Sequence, residues 1–160
     1  MKTFFNLFLF VMALSSCTKQ HFPGEGAFTG TFSGSYTKEG HVIPHKRIIH
    51  IVITESSDDR LKLINSESGA NHHESELTQK GKDISGTIKS WADVSWHDSP
   101  TTHISHIDKY IDIEGRWEKL DGEYMITGHF NSFYHFVSTA ANIDMEYPVE
   151  GSFIIKPSKE

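Results

Sequence analysis

One dipeptide, Asp121-Gly122, constrains the fold of this chain more than any other feature. Apolar and polar residues alternate on both sides of it. In that setting Asp-Gly is the strongest local signal for a two-residue hairpin turn, because both turn positions need a positive φ. The turn sets a register that pairs Leu120 with Glu123, Trp117 with Ile126, Gly115 with Gly128 and Ile113 with Phe130. One face of the hairpin is then apolar and the other polar, as an antiparallel sheet with one buried face requires.

A short unit with a central glycine between two large apolar residues recurs along the chain. It occurs at Phe28-Gly30-Phe32, Phe32-Gly34-Tyr36, Ile84-Gly86-Ile88, Ile113-Gly115-Trp117, Ile126-Gly128-Phe130 and Val149-Gly151-Phe153. An inward glycine weakens a flat strand, but small barrels alternate small and large inward residues to fit their curvature. No stretch keeps a 3.6-residue apolar period for three turns, which argues against long helices. The sequence therefore predicts an all-β fold, a single antiparallel up-and-down β-barrel of about eight strands.

The remaining segments are assigned by their alternation and their turn residues. Strands are predicted at residues 27–37, 46–54, 60–65 and 148–156, and a second tight hairpin is predicted to turn around residues 80–82. Residues 38–45 are predicted as a loop, 91–102 as an irregular segment, and 138–146 as a long loop or one helical turn.

The first 16 residues have the form of a targeting segment. Lys2 is followed by an apolar run over residues 4–14, which as a helix spans only about 16 Å, half of a bilayer core of roughly 30 Å. The following Leu14-Ser15-Ser16-Cys17 resembles the lipobox of bacterial lipoproteins. That resemblance implies that Cys17 becomes the lipidated first residue of the mature chain. The alternative is an ordinary signal peptide that ends near a cysteine.

These features divide the chain into a signal peptide (1–16), a tether (17–26) and a barrel domain (27–157). Cys17 is the only cysteine, so it has no disulfide partner within the chain. The predicted location is the cell envelope, at the bacterial outer membrane, with the lipid on Cys17 as the membrane contact. The formal net charge of −6 argues against nucleic acid as a partner.

Two further pieces resemble bacterial lipocalin-like (calycin-type) domains. Residues 79–88, Gln-Lys-Gly-Lys-Asp-Ile-Ser-Gly-Thr-Ile, look like a turn and strand of that family, and Gly30-Thr31-Phe32 resembles its opening Gly-x-Trp with Phe in place of Trp. The resemblance implies a lipocalin-like barrel with a cup at one end that holds a small apolar ligand.

The inward aromatic residues either line such a cup or fill a closed core, and a mostly filled interior is favoured in so small a barrel. The residues predicted to bind a ligand are Phe28, Phe32, Tyr36, Trp117, Tyr124 and Phe130, with Trp91 and Trp96 at the rim.

Histidine is abundant, with 11 in the chain. Among the densest groups His97 and His103 are the pair that share a strand face, so they are the candidate metal ligands. Ser35 and Lys38 match the spacing of serine–lysine enzymes, but that chemistry needs the serine at a helix start, and here a strand is predicted. We therefore predict a protein that is not an enzyme and needs no cofactor.

Three functions remain open at this point. The first is an envelope protein that holds a small apolar or amphiphilic ligand in its barrel. The second is an interaction module with a solid core, which contacts an envelope or host protein through Trp91, Trp96 and the exposed side of the strand at residues 48–53. The third is metal binding by histidine.

Overall fold

Ten β-strands account for the regular structure of the described chain. A computed structural model describes residues 20–66, 72–90, 94–99, 102–106, 110–138 and 142–159. The strands are β1 Gly26–Lys38, β2 His41–Ser56, β3 Arg60–Asn65, β4 His73–Lys80, β5 Asp83–Lys89, β6 Val94–Ser99, β7 Thr102–His106, β8 Tyr110–Leu120, β9 Glu123–Ser138 and β10 Ile143–Pro157. Within those ranges no helix has the length and apolar character needed to cross a bilayer.

Eight of the strands close into a barrel-like ring. Each pairs antiparallel with its neighbour in the order β1-β2-β3-β4-β5-β8-β9-β10, and β10 pairs with β1 to complete the circle. The other two strands, β6 and β7, follow β5 and precede β8 in the chain and form a separate hairpin. In space β7 pairs with the last residues of β9. The predicted all-β, up-and-down antiparallel architecture of about eight strands is confirmed, with one additional hairpin.

The hairpin around Asp121-Gly122 has the predicted register. Trp117 pairs with Ile126, Gly115 with Gly128 and Ile113 with Phe130. Asp121 has φ 51° and Gly122 has φ 87°, so both turn residues occupy the left-handed region that a two-residue hairpin turn requires.

The predicted loop at residues 38–45 is wrong. The chain turns within Glu39-Gly40, with φ of 53° and 77°, and β2 begins at His41. Pro44 discouraged a strand assignment because proline cannot donate to a ladder. It is tolerated here because β3 pairs with β2 only from Ile51 onward, so one edge of β2 has no paired strand at Pro44 in the described structure.

Two other irregular segments are also more ordered than predicted. Within residues 138–146, β9 continues to Ser138 and β10 starts at Ile143, so the predicted loop or helical turn is wrong for residues 143–146, and residues 139–141 lie outside the described residues. Within residues 91–102, Val94–Ser99 forms β6, and a bulge between His97 and Ser99 precedes the reversal into β7. In both cases the strands pair as hairpins with the next strand of the chain, β6 with β7 and β9 with β10, and β7 also pairs with the end of β9.

The two ends of the ring differ in their connections. At one end, here called the turn end, short turns join β2 to β3, β4 to β5 and β8 to β9, and β1 begins and β10 ends there. At the opposite end, here called the loop end, β3, β5 and β9 end, β4, β8 and β10 begin, and the turn at Glu39-Gly40 joins β1 to β2.

Phe22 closes the turn end. Its side chain has no solvent exposure, and its ring centroid lies 5.7 Å from that of Phe28, 6.2 Å from Trp117 and 6.5 Å from Tyr124. The indole Nε1 of Trp117 donates a hydrogen bond of 3.0 Å to the carbonyl of Gly81 in a neighbouring turn. The side chain of Phe22 is therefore part of the core at the turn end, whereas its neighbours His21 and Pro23 are exposed.

Pairs of glycines explain how four adjacent strands approach one another. Gly115 lies opposite Gly128, and Gly34 lies opposite Gly151. Gly128 lies beside Phe153 on β10, and a Cβ on Gly115 would come within 2.7 Å of Cζ of that phenylalanine. The aromatic rings occupy the space that the missing side chains leave, which is the alternation predicted from the repeated unit.

Candidate binding surface

The interior that the described residues enclose is filled by side chains. A side chain that lined an empty cup would expose area to solvent, whereas the inward apolar residues of the core are at most 8% exposed. The ring of Phe32 lies 5.3 Å from Phe130 and 5.5 Å from Phe153. The filled interior favoured by the sequence is what the packing shows.

The predicted ligand-binding residues fall into three groups. Phe28, Phe32, Trp117 and Phe130 are buried in the core. Tyr36 and Tyr124 are half-buried and pack against it. The third group is the two rim tryptophans, of which Trp91 lies outside the described residues and Trp96 is described only as a backbone position in β6, opposite Ile104.

The predicted metal ligands lie directly across the inserted hairpin from each other. His97 and His103 are Cα partners in the β6–β7 pair, although their side chains are outside what is described. Among the described residues no group of three or more histidine, cysteine or acidic side chains is placed to hold a metal ion. Metal binding at this pair stays a prediction.

Polar side chains collect inside the barrel at its loop end. Asn65 Nδ2 donates hydrogen bonds to Ser90 Oγ at 3.1 Å and to the Lys89 carbonyl at 3.4 Å, and the Lys89 amide donates to Ser75 Oγ at 2.9 Å. Asn65 is almost wholly buried, and its Oδ1 has no hydrogen-bond partner. A buried carbonyl oxygen of this kind accepts a donor at low cost, since it has no partner to give up.

Three tyrosines at the same end join the two longest hairpins. Tyr36 of β1 stacks on Tyr134 of β9 with ring centroids 4.7 Å apart and planes 14° apart, and Tyr147 of β10 lies 5.4 Å from Tyr36. His45 of β2 approaches Tyr134 at 6.0 Å. This cluster is packing between hairpins, because the rings contact one another rather than surround a space.

On the outer face the register aligns side chains into rows that cross six strands. One row, the apolar row, contains four exposed apolar or aromatic residues: Val42, Pro148, Phe133 and Tyr110. Pro148 pairs with Phe133, and the register of β8 and β9 brings Tyr110 opposite Phe133. Val42 is 70%, Phe133 55% and Tyr110 52% exposed.

The adjacent row, the polar row, runs parallel to the apolar row. It consists of Ser35, Glu150, Asn131, Asp112 and Thr87, each the Cα partner of the next. Asn131 thus lies between two carboxylates that are two strand spacings, or about 10 Å, apart. The Thr87 hydroxyl donates a hydrogen bond of 2.5 Å to Asp112 Oδ1, which fixes that carboxylate. The two rows together are called the outer strip.

Two clefts lie along the outer strip. One, of about 540 Å³, is lined by Val42, Tyr36, His129 and the central residues of the strip. The other, of about 600 Å³, is lined by Tyr110, Phe133, Asp112, Thr87 and Lys89. Both include Asn131, Pro148 and Glu150. The clefts therefore form one continuous depression with an apolar side and a hydrogen-bonding side.

A third cleft, of about 660 Å³, lies elsewhere on the outer face, over β2 to β5. Its acidic Glu55 is already engaged, with Oε1 2.7 Å from Arg60 Nη2 and Oε2 2.8 Å from Lys62 Nζ. The hydrogen bond from Lys62, followed by that from Arg60, holds the pKa of Glu55 below its ordinary value. The Glu55 carboxylate of this cleft is therefore already paired with two cations of the protein.

The exposed side of the strand at residues 48–53 offers less apolar surface than predicted. Ile49, Ile51 and Ile53 are buried in the core, Val52 is half-buried, and Ile48 is exposed. The larger exposed apolar set belongs to the outer strip, which the sequence reasoning did not identify. Extending the predicted hairpin register by two residues beyond Asp112 would have paired Tyr110 with Phe133 on the outer face and revealed it.

The geometry thus defines an eight-stranded barrel-like protein with a filled core and an amphipathic outer surface. The chain matches no known family of proteins, and no curated protein is detectably similar to it in sequence.

Proposed function

We propose that this protein is a lipid-anchored binding module of the bacterial cell envelope, in which the packed barrel is a scaffold and the outer strip is the contact surface. The observation that carries the proposal is the contrast between the two sides of the sheet. The inward apolar residues are at most 8% exposed, whereas Phe133 and Tyr110 are more than half exposed beside a cleft of about 600 Å³. Exposed aromatic residues beside polar groups are typical of binding surfaces.

The position of the predicted anchor supports this orientation. Cys17 precedes Phe22 by five residues, which span at most about 17 Å of extended chain. Because Phe22 lies inside the turn end, a lipid on Cys17 holds that end toward the membrane. Tyr110, at the start of β8, and Phe133 then belong to the half of the barrel that faces away from the lipid.

Labelling with radioactive palmitate tests the anchor. The wild-type chain is expected to incorporate label and to fractionate with membranes, and the Cys17→Ser variant is expected to do neither. Equal labelling of the two chains would contradict lipidation at this residue.

Sedimentation with isolated envelope fragments tests the contact surface. The probe is the mature chain with Cys17→Ser, which removes the lipid contribution. We expect this chain to sediment with the fragments and the double substitution Tyr110→Ser and Phe133→Ser to reduce the bound fraction at least tenfold. Leu120→Ser is the matched control, since Leu120 is an exposed apolar residue at the turn end.

A further substitution, Ile48→Ser, tests the alternative contact surface, which is the exposed side of β2 at residues 48–53. If Ile48→Ser abolishes sedimentation and the double substitution does not, the contact lies on the strand at residues 48–53 and the outer strip is not the binding surface. If all variants sediment as the parent does, or the parent does not sediment, the proposal fails.

An amphiphilic ligand that enters the barrel from its loop end is a second candidate, and Asn65 is the observation that favours it. The unpartnered Oδ1 of Asn65 lies at this end, where it would accept a hydrogen bond from the head group of a fatty alcohol or amine. Because the core is filled, the alkyl chain would have to displace core side chains. Titration with dodecanol would then shift the amide signals of β3 and β5 around Asn65, and Asn65→Leu would weaken binding. Unchanged amide signals at saturating dodecanol exclude this candidate.

A further inference from the structure

We infer that the outer strip binds a neutral glycan that lies across the strands, an inference that rests on the proposed role of the strip as the contact surface. Three properties of the outer strip indicate this chemical class of ligand.

The first property is the composition of the apolar row. Tyr110 and Phe133 present exposed aromatic rings, and Pro148 presents a third flat apolar surface beside them. The C–H bonds on one face of a pyranose ring pack against aromatic rings, because the ring face carries a partial negative charge and the C–H groups a partial positive one.

The second property is the chemistry of the polar row. Asp112 and Glu150 accept hydrogen bonds, Asn131 both donates and accepts them, and the hydroxyl of Ser35 does the same. A sugar carries its hydroxyl groups around the rim of an apolar ring. One edge of a glycan in this cleft therefore faces the polar row while its ring faces pack on the apolar row.

The third property is the pairing of the strands below the strip. In the central part of the strip, β10 is paired with β1 and β9, and β9 with β8, so their backbone groups are used within the sheet. An extended peptide laid across these strands would find no backbone ladder there, whereas a glycan needs only side-chain partners.

The negative charge around the cleft favours a neutral glycan over an acidic one. Asp112 and Glu150 lie in the cleft, and the acidic residues Glu114 and Glu146 are exposed nearby on the same face. Lys89 is the cation of the cleft, at one end of it. An acidic polysaccharide would place its carboxylates or sulfates against this negative row, which disfavours binding.

The length of the strip suits a short unbranched chain that follows the curvature of the ring. Along the surface of the sheet, six adjacent strands at a spacing of about 4.8 Å cover a curved path of about 24 Å. A pyranose unit is about as long as one strand spacing, so a chain that follows the whole path has about five sugars. A hexasaccharide is therefore expected to bind more tightly than a disaccharide of the same linkage.

The test uses the mature Cys17→Ser chain and a panel of neutral hexasaccharides of glucose, xylose, mannose and N-acetylglucosamine. Hexagalacturonate is the acidic comparator. Binding is measured by calorimetry and mapped by amide chemical shifts.

We expect at least one neutral hexasaccharide to bind and to shift amides in β8, β9 and β10. Tyr110→Ala and Phe133→Ala are each expected to raise its Kd at least tenfold, with Leu120→Ala unchanged. Binding by no member of the panel, stronger binding of hexagalacturonate, or shifts confined to other strands overturns the inference.

A final comparison separates failure of this inference from failure of the proposed function. Envelope fragments are treated with periodate, which cleaves vicinal diols in sugars, and sedimentation is repeated. Loss of sedimentation supports the glycan. If sedimentation persists after periodate, is abolished when the fragments are instead digested with a protease, and is still lost in the Tyr110 and Phe133 double variant, the partner is a protein, so the glycan inference is wrong and the contact surface stands. If the double variant sediments as the parent does, the contact surface itself is wrong.

Discussion

Replacing Phe22 by alanine should destabilise the whole barrel, although this residue lies before the first strand. The phenyl ring is fully buried and contacts three aromatic rings at the turn end. A tether residue with no structural role would tolerate the change without a measurable effect on the free energy of unfolding. The substitution therefore tests whether Phe22 belongs to the core of the barrel or to a flexible leader.

The magnitude follows from the buried area and from the freedom that the segment regains. Burying a phenylalanine removes roughly 150–200 Å² from water, and at about 25 cal/mol per Å² this contributes about 4–5 kcal/mol. Measured Phe-to-Ala substitutions in cores cost about 3–5 kcal/mol. One or two residues beside Phe22 that become free return about 1 kcal/mol of backbone entropy each, which offsets part of the loss. We expect a net loss of about 3 kcal/mol.

Urea unfolding followed by circular dichroism measures this loss on the mature Cys17→Ser chain. With a slope of about 2 kcal/mol per molar urea, the midpoint should fall by about 1.5 M. The native tryptophan fluorescence, to which Trp117 contributes together with Trp91 and Trp96, should also shift to longer wavelength, because the Trp117 ring would lose its contact with Phe22. Phe133→Ala is the matched control, since that ring is 55% exposed and its removal should change stability by no more than about 0.5 kcal/mol.

The reasoning would be refuted by a Phe22→Ala midpoint equal to that of Phe133→Ala. Phe22→Leu provides a graded check, because leucine keeps most of the apolar contact and should cost about 1 kcal/mol. A leucine variant as unstable as the alanine variant would also contradict the packing explanation.

Three further predictions concern single contacts. Gly151→Ala should cost at least about 2 kcal/mol in thermal or urea unfolding, because its Cβ would lie 2.5 Å from Cα of Gly34 on the facing strand; a neutral effect would contradict the close approach of β1 and β10. Trp117→Phe should lower the free energy of unfolding by about 1–2 kcal/mol, because it removes the hydrogen bond to the Gly81 carbonyl. Unfolding followed by circular dichroism, which does not depend on tryptophan fluorescence, measures this change. Glu55→Gln should slightly lower the urea midpoint at pH 7 and have no effect well below pH 4.5. The pKa of this carboxyl is lowered in the folded state from its ordinary value of 4.5, so its contribution is present above that pH and is lost as the pH falls. A difference that grows on acidification would show the sign to be wrong.

Local sequence signals were sufficient to predict an up-and-down sheet of about eight strands and the side chains that face its interior. Asp121-Gly122 determines a two-residue turn, and alternation then assigns each neighbouring side chain to one face, so the hairpin of β8 and β9 was predictable residue by residue. Glu39-Gly40 adopts the same turn conformation, but glutamate is not a typical first residue of such a turn and Pro44 argued against a strand after it. Whether a proline is tolerated depends on which edge of the strand is paired, and that is a property of the sheet.

The candidate site was less predictable because its residues come from six strands. Val42, Pro148, Phe133 and Tyr110 are far apart in sequence, and each alone is an unremarkable exposed residue. Only the registers of the successive strand pairs align them into one row beside Asn131 and its two carboxylates. No local pattern encodes such a row.

The sequence by itself determined the strand period, the turns and the identity of the inward face, because these depend on backbone conformation and on alternation within a few residues. The tertiary structure decided that the interior is filled and that Phe22 enters the turn end. It also decided that the exposed aromatic residues form one surface. Each of these depends on volumes and registers summed around a closed ring, which residues distant in the chain determine together.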